Sequence, residues 1–156
     1  MAKSITVLLL SFTMAASAQR TEVIDVSQLE SKLVEKSSKL QVFNFWATWC
    51  GPCIKELPYF EAARSKMIKE IDVNLITVDF IEDLAKVNKF VQRKDLKSNI
   101  FLINNVDYNS WIDKVDPRWS GAIPATLIIN TATGERRFVE SELKEGELEI
   151  LINELL

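Results

Sequence analysis

The chain of 156 residues contains no histidine. That absence excludes Ser-His-Asp and Cys-His catalysis and any metal site built on imidazole. Cysteine is scarce too, with two in the whole chain, Cys50 and Cys53. One chain therefore cannot close a four-cysteine zinc site. No basic cluster exists: 19 Lys and Arg stand against 22 Asp and Glu, a formal net charge of −3. A nucleic-acid partner is not expected from that balance. Internal repeats and low-complexity linkers are also missing, and past the N-terminus no apolar run reaches the roughly 20 residues that a spanning helix needs.

The N-terminus reads as a processing segment. Lys3 supplies a positive start, Ile5 to Met14 an apolar stretch, and Ala16-Ser17-Ala18 a small-x-small cleavage signal. Residues 1–18 are expected to be a signal peptide cleaved after Ala18, with an uncleaved membrane anchor as the alternative. No cysteine near residue 18 is available for a lipid anchor. Residues 19–156 form one domain, large enough for a real core. It is expected in an exported, periplasm-like compartment where disulfides persist.

The two cysteines sit in Trp49-Cys50-Gly51-Pro52-Cys53. An apolar run, Leu40–Trp46, precedes them and a helix-like stretch from Ile54 follows. A strand that ends in Cys-x-x-Cys at a helix start is a dithiol redox site. The spacing lets the sulfurs close a disulfide within one turn. Unpaired N–H groups at the helix start favour a thiolate on Cys50, and the thiolate is the attacking form. The competing reading, a purely stabilising disulfide, is weak because so short a loop removes little unfolded-state entropy.

Periodicity sets the rest. Ser27-Gln28-Leu29-Glu30 has a capping-box pattern and predicts a helix from about 27 to 36. Pro58 should bend or break the helix after Cys50. Strands are expected over 71–80 and 98–103, with a helix carrying Leu84, Val87 and Val91 between them. Tyr108, Trp111, Ile112 and Val115 predict an amphipathic helix over 108–115. Pro124–Asn130 and Glu135–Val139 read as two strands joined at Gly134, and Leu148, Leu151, Ile152 and Leu155 as a docked final helix. Alternating strands and helices, then a hairpin and helix, give an α/β sandwich with a mixed sheet.

Phe45-Trp46-Ala47-Thr48-Trp49-Cys50-Gly51-Pro52-Cys53 resembles the active-site segment of the thioredoxin superfamily. Cys-x-x-Cys-x-x-Glu-x-Pro, ending at Glu56 and Pro58, is similar to its TlpA/ResA branch of exported thiol-disulfide oxidoreductases. Gly121-Ala122-Ile123-Pro124-Ala125-Thr126 resembles the second signature of that branch. The resemblance implies a thioredoxin-like fold, with a central mixed sheet flanked by helices. Cys50 would be the partly exposed nucleophile and Cys53 the more buried resolving thiol. Glu56, three residues further on the same helix face, would exchange protons with Cys53; the plain alternative is an acidic residue favoured by the helix dipole. Ile123 and Pro124, joined by a cis bond, would lie against the sulfurs and pair with substrate backbone.

Trp49 is expected at the rim of the site and Trp46 in the core, while Trp119 could line a groove or simply pack. Thioredoxin proper carries a buried Asp where this chain has Asn44, and an amide cannot take a thiol's proton, so Asn44 is read as structural. Gly51-Pro52 accompanies reducing members, and thioredoxin itself stands at about −270 mV.

Together these imply a reductase of protein disulfides, with the Cys50–Cys53 pair as its redox centre and no further cofactor or metal. Expected partners are disulfide-containing exported proteins, apocytochrome c among them, and a membrane electron donor. No segment looks like a dimerisation module, so a monomer is expected. The alternatives are an oxidase or isomerase, or a peptide-binding module with an incidental disulfide.

Overall fold

The computed structural model describes residues 20–156. The leader and its cleavage point lie outside the described residues.

Six strands form one sheet: β1 (Glu22–Ile24), β2 (Leu40–Trp46), β3 (Ile71–Thr77), β4 (Asn99–Ile103), β5 (Ala125–Ile129) and β6 (Arg136–Val139). Their spatial order is β1-β4-β3-β2-β5-β6. The first four are mutually parallel, and β5 and β6 run antiparallel, so the sheet is mixed as expected. Among the described residues five helices accompany it: α1 (Val26–Val34), α2 (Gly51–Lys66), α3 (Leu84–Arg93), α4 (Ile112–Val115) and α5 (Glu147–Asn153). β2 lies between β3 and β5, and Val42 through Trp46 are all buried. A strand covered on both faces needs this near-continuous apolar run rather than alternation.

Several elements differ from the sequence reading. The cap of α1 is Asp25, not Ser27. The Asp25 carboxylate accepts the Gln28 N–H at 2.8 Å, and Gln28 Oε1 accepts the Asp25 N–H at 2.9 Å. The Ser27 hydroxyl is itself spent on Asp25, at 2.7 Å. α2 is not broken at Pro58 but runs on to Lys66. An interior proline costs about 3 kcal/mol. Leu57 and Phe60, both buried beside it, return about 1.5–3 kcal/mol each and hold the helix together. β3 stops at Thr77, releasing residues 78–80 to the site described below.

The helix expected over 108–115 is two short pieces, a 3₁₀ turn over Tyr108–Ser110 and α4. Trp111 separates them at φ −138°. Its ring packs against Trp119 with centroids 5.5 Å apart and against Phe45 at 6.0 Å, so tertiary packing overrides the helical period. β1 had no counterpart in the sequence reading. Its three residues exist as a strand because Glu22, Val23 and Ile24 pair with Phe101, Leu102 and Ile103.

Candidate active site

Register brings the two signatures together. Phe45 near the end of β2 stands opposite Ala125, the first residue of antiparallel β5. Trp46 stands opposite Thr77, the last residue of parallel β3. The Cys50 turn, the segment after β3 and the segment before β5 therefore emerge at one end of the sheet. That is where open α/β sheets place their sites, outside the carboxyl ends of the strands.

Cys50 is the N-cap of α2, and its Sγ accepts the Cys53 N–H at 3.3 Å. A backbone donor thus already faces the sulfur that would carry charge as a thiolate. The two sulfurs are joined at 2.00 Å. Cys53 is fully buried, and Cys50 is only 7 % exposed. The order of burial matches expectation, but Cys50 is more enclosed than a partly exposed nucleophile. It lies against the Ile123 carbonyl, 3.9 Å from Sγ, and Trp49 stands beside it with 62 % of its surface open. The Ile123–Pro124 bond is cis.

Glu56 has no solvent exposure. Its Oε1 accepts Asn44 Nδ2 at 2.7 Å, and its Oε2 accepts the Leu143 N–H at 2.7 Å. Burial pushes the carboxyl up to about 7, against the downward pull of those two donors; the Glu142 charge adds to the rise and Lys144 opposes it. A carboxyl poised there can hold or release a proton near neutral pH. Asn44 is fully buried and hydrogen-bonded. It stands opposite Thr126 in the sheet, donates to the Thr126 hydroxyl at 3.1 Å, and orients Glu56.

Two carboxylates escaped the sequence reading. Asp79, buried just after β3, accepts the Thr48 N–H at 2.8 Å, the Thr48 hydroxyl at 2.6 Å and the Thr77 hydroxyl at 2.5 Å. It ties the turn that leads into Trp49 and Cys50. Glu140, just after β6, binds the backbone of Ser120 and Ala122. Neither belongs to a motif; their backbone donors lie 31 and about 20 residues away, and the one local partner, Thr77 two residues before Asp79, does not announce the site.

Beside Cys50 opens an apolar groove of about 300 Å³, lined by Trp49, Phe80, Tyr108, Trp111, Trp119 and Ile123. Trp119 both packs and lines it, so the two readings of that residue are not exclusive. Trp46 is buried in the core, as expected. No group of three or more Asp, Glu or Cys among the described residues is arranged to hold a metal ion.

The sequence pattern of the AhpC/TSA family matches residues 10–134. The chain belongs to the AhpC/TSA family. This AhpC/TSA protein is similar to curated proteins named thiol-disulfide oxidoreductase ResA. Thiol-disulfide oxidoreductase ResA of Bacillus cereus is 41 % identical over 75 residues, covering 46 % of this chain and 43 % of that protein. ResA of Halalkalibacterium halodurans is 30 % identical over 109 residues, covering 70 % of this chain and 54 % of that one. The chain spans about half the length of these curated relatives.

The thioredoxin-like fold is shared with solved structures. A thioredoxin-related protein from Neisseria meningitidis serogroup B superposes with a TM-score of 0.66 at 22 % identity, over 75 % of this chain and 84 % of that one. StoA from Bacillus subtilis gives 0.57 at 20 % identity, over 75 % and 84 %.

Proposed function

We propose that this AhpC/TSA protein is an exported thiol-disulfide oxidoreductase working as a reductase of protein disulfides. The observation that carries the reading is the Cys50–Cys53 pair at the start of α2, with the buried Glu56 on the same helix face and the Ile123 carbonyl 3.9 Å from Cys50 Sγ. The similarity to ResA proteins supports the reaction class.

In the dithiol form, the Cys50 thiolate attacks one sulfur of a substrate disulfide. An S–S bond forms between Cys50 and the substrate, and the other substrate sulfur leaves as a thiolate. Cys53 then attacks Cys50 Sγ and expels the first substrate sulfur. Its thiol proton passes to the Glu56 carboxylate, which can accept it near neutral pH. The substrate gains two electrons and the protein is left as its Cys50–Cys53 disulfide. A membrane dithiol donor returns the two electrons. Exported proteins with disulfides are the substrates, and apocytochrome c before haem attachment is one fitting candidate. Gly51-Pro52 between the cysteines supports the reducing direction.

The test is a measured reduction potential together with trapping by Cys53→Ser. A value near thioredoxin's, at about −270 mV, and mixed disulfides with exported proteins are expected. A value near the oxidant DsbA, at about −120 mV, would reverse the direction to that of an oxidase. No mixed disulfide at all, with binding unaffected by loss of both cysteines, would leave a peptide-binding module.

A further inference from the structure

The segment before Pro124 has no regular secondary structure, yet it is held from both sides. Glu140 Oε1 accepts the Ser120 N–H at 3.2 Å, the Ala122 N–H at 3.1 Å and the Ser120 hydroxyl. Its Oε2 also takes the Ser120 N–H, at 3.1 Å. Between the two donors lies Gly121 at φ +94°, a left-handed conformation that glycine adopts at no steric cost. Alternating backbone N–H groups converging on one oxygen make a small anion-binding concavity, and here the anion is a side chain of the same protein. On the other side, the Trp119 indole N–H donates to the Ala122 carbonyl at 2.8 Å. Ala122 is thus fixed through both of its backbone groups. The next carbonyl is that of Ile123, 3.9 Å from Cys50 Sγ.

Glu140 reaches this segment because of the sheet. Val139 pairs with Thr126, so the following residue of β6's strand direction comes level with the start of β5, next to Pro124. Burial pushes the Glu140 carboxyl up, but the Ser120 hydroxyl and the Ser120 and Ala122 N–H groups outweigh it and leave it below the ordinary glutamate value. The carboxylate is therefore charged across the working range, and charge-assisted hydrogen bonds are about twice as strong as neutral ones.

We infer that Glu140 is a positioning residue for substrate capture: its carboxylate fixes residues 120–122 so that the Ile123 backbone is presented, next to Cys50, to an extended polypeptide. The inference rests on the reductase reading above. It assigns Glu140 no contact with the reacting sulfurs. Its loss should impair substrates that dock along the backbone of Ile123 and spare those too small to do so.

The experiment uses the full chain, reduced with dithiothreitol, against two disulfides. Insulin represents a polypeptide that needs docking, and 5,5′-dithiobis(2-nitrobenzoate) a small disulfide that does not. Glu140→Ala is expected to raise KM for insulin by about 10- to 100-fold, the scale of a modest misplacement, with kcat little changed. Its reaction with the small disulfide and the pH dependence of Cys50 alkylation should stay at wild-type values. Glu140→Gln should recover part of the loss, because its amide oxygen can occupy the place of Oε1 while the charge and the Oε2 acceptor are gone. Glu140→Asp keeps the charge but shortens the reach, and serves in place of Glu140→Ala should that variant not fold. Equal slowing of both disulfides, or no change in either, overturns the proposal while leaving the reductase reading intact. A wild-type protein that reduces neither disulfide overturns the reductase reading and this proposal with it.

Discussion

The Leu143 N–H donates to Glu56 Oε2 at 2.7 Å, joining residues 87 positions apart in the sequence. Leu143 precedes α5, and Glu56 lies in the second turn of α2. A strap between β6 and α5 thus closes over a buried carboxyl that shares a helix face with Cys53. The contact keeps one backbone donor on Glu56 when it is charged, and the same closure removes the water that would otherwise stabilise that charge.

Stability should therefore depend on pH through Glu56, in a direction opposite to that of most carboxylates. Its folded-state value is raised to about 7 from an ordinary 4.5. Between those limits the native state holds a proton that the unfolded state has lost. Native stability is greatest at and below about pH 4.5 as far as Glu56 is concerned, falls as pH rises toward 7, and is level above. The full swing is on the order of 3 kcal/mol. Glu56→Gln should abolish this slope and be at least as stable as wild type at pH 8. The amide fits: Asn44 Oδ1 has no hydrogen-bond partner among the described residues, so a flipped Asn44 can accept from Gln at position 56. Urea melts of the oxidised proteins from pH 5 to pH 8 check it. A wild-type slope unchanged by the substitution would assign the titration to another group.

The same variant should slow resolution of a mixed disulfide by Cys53, because the proton has lost its acceptor. General-base assistance is typically worth about 10²–10⁴-fold, and a thiol needs less of it than an alcohol. Stopped-flow reduction of insulin disulfides, with release of the second thiol followed separately, isolates that step. Wild-type kinetics across pH 6–8 would leave Glu56 a structural role.

Cys50 should be the more acidic thiol. It caps α2 and accepts the Cys53 N–H, while Cys53 is fully buried. Iodoacetamide alkylation of Cys53→Ser, followed against pH, should titrate below the free-thiol value of about 8.5. Cys50→Ser should react more slowly and titrate higher. Equal curves for the two variants would remove the basis for their separate roles.

What the chain revealed of itself follows the reach of each signal. β2, α3 and the β5–β6 hairpin were legible because their apolar patterns are local, and Cys50, Cys53, Glu56 and Pro124 because they fall in two compact signatures. β1 was not legible: Glu-Val-Ile is too short to show a period, and only its pairing with Phe101, Leu102 and Ile103 makes it a strand. Of the stripe Tyr108, Trp111, Ile112 and Val115, the last three are buried and Tyr108 is exposed, and Trp111 leaves the helical path to pack on Phe45 and Trp119. Asp79 and Glu140 look like ordinary surface acids in sequence. Their importance lies in backbone donors that arrive from distant segments, and no side-chain pattern records those.

Asp79→Ala should destabilise the protein by about 2–4 kcal/mol. It leaves the half-buried Thr48 N–H and hydroxyl and the buried Thr77 hydroxyl without their acceptor. Asp79→Asn should cost clearly less, since the amide oxygen can still receive the Thr48 N–H while the hydroxyls rotate to suit the amide nitrogen. Urea denaturation at pH 7 compares the two. Equal costs would mean that the charge, rather than the acceptor geometry, holds this turn.

Trp49 and Trp119 line one groove but should separate function from stability. Trp49 is 62 % exposed, so Trp49→Ala should change stability by no more than about 0.5 kcal/mol. Its ring is nonetheless the open wall of the groove next to Cys50, so reduction of insulin should weaken through KM. Trp119 is 3 % exposed, and its ring stands 4.5 Å from Phe45 and 5.5 Å from Trp111 between centroids. Trp119→Ala should open a cavity costing about 3–5 kcal/mol. Trp119→Phe keeps most of the packing but loses the indole N–H to the Ala122 carbonyl, so it should be milder in melts and still impair insulin reduction. Thermal melts and insulin kinetics on all three variants check the contrast. A destabilised Trp49→Ala with unaltered kinetics would place the groove outside the substrate's path.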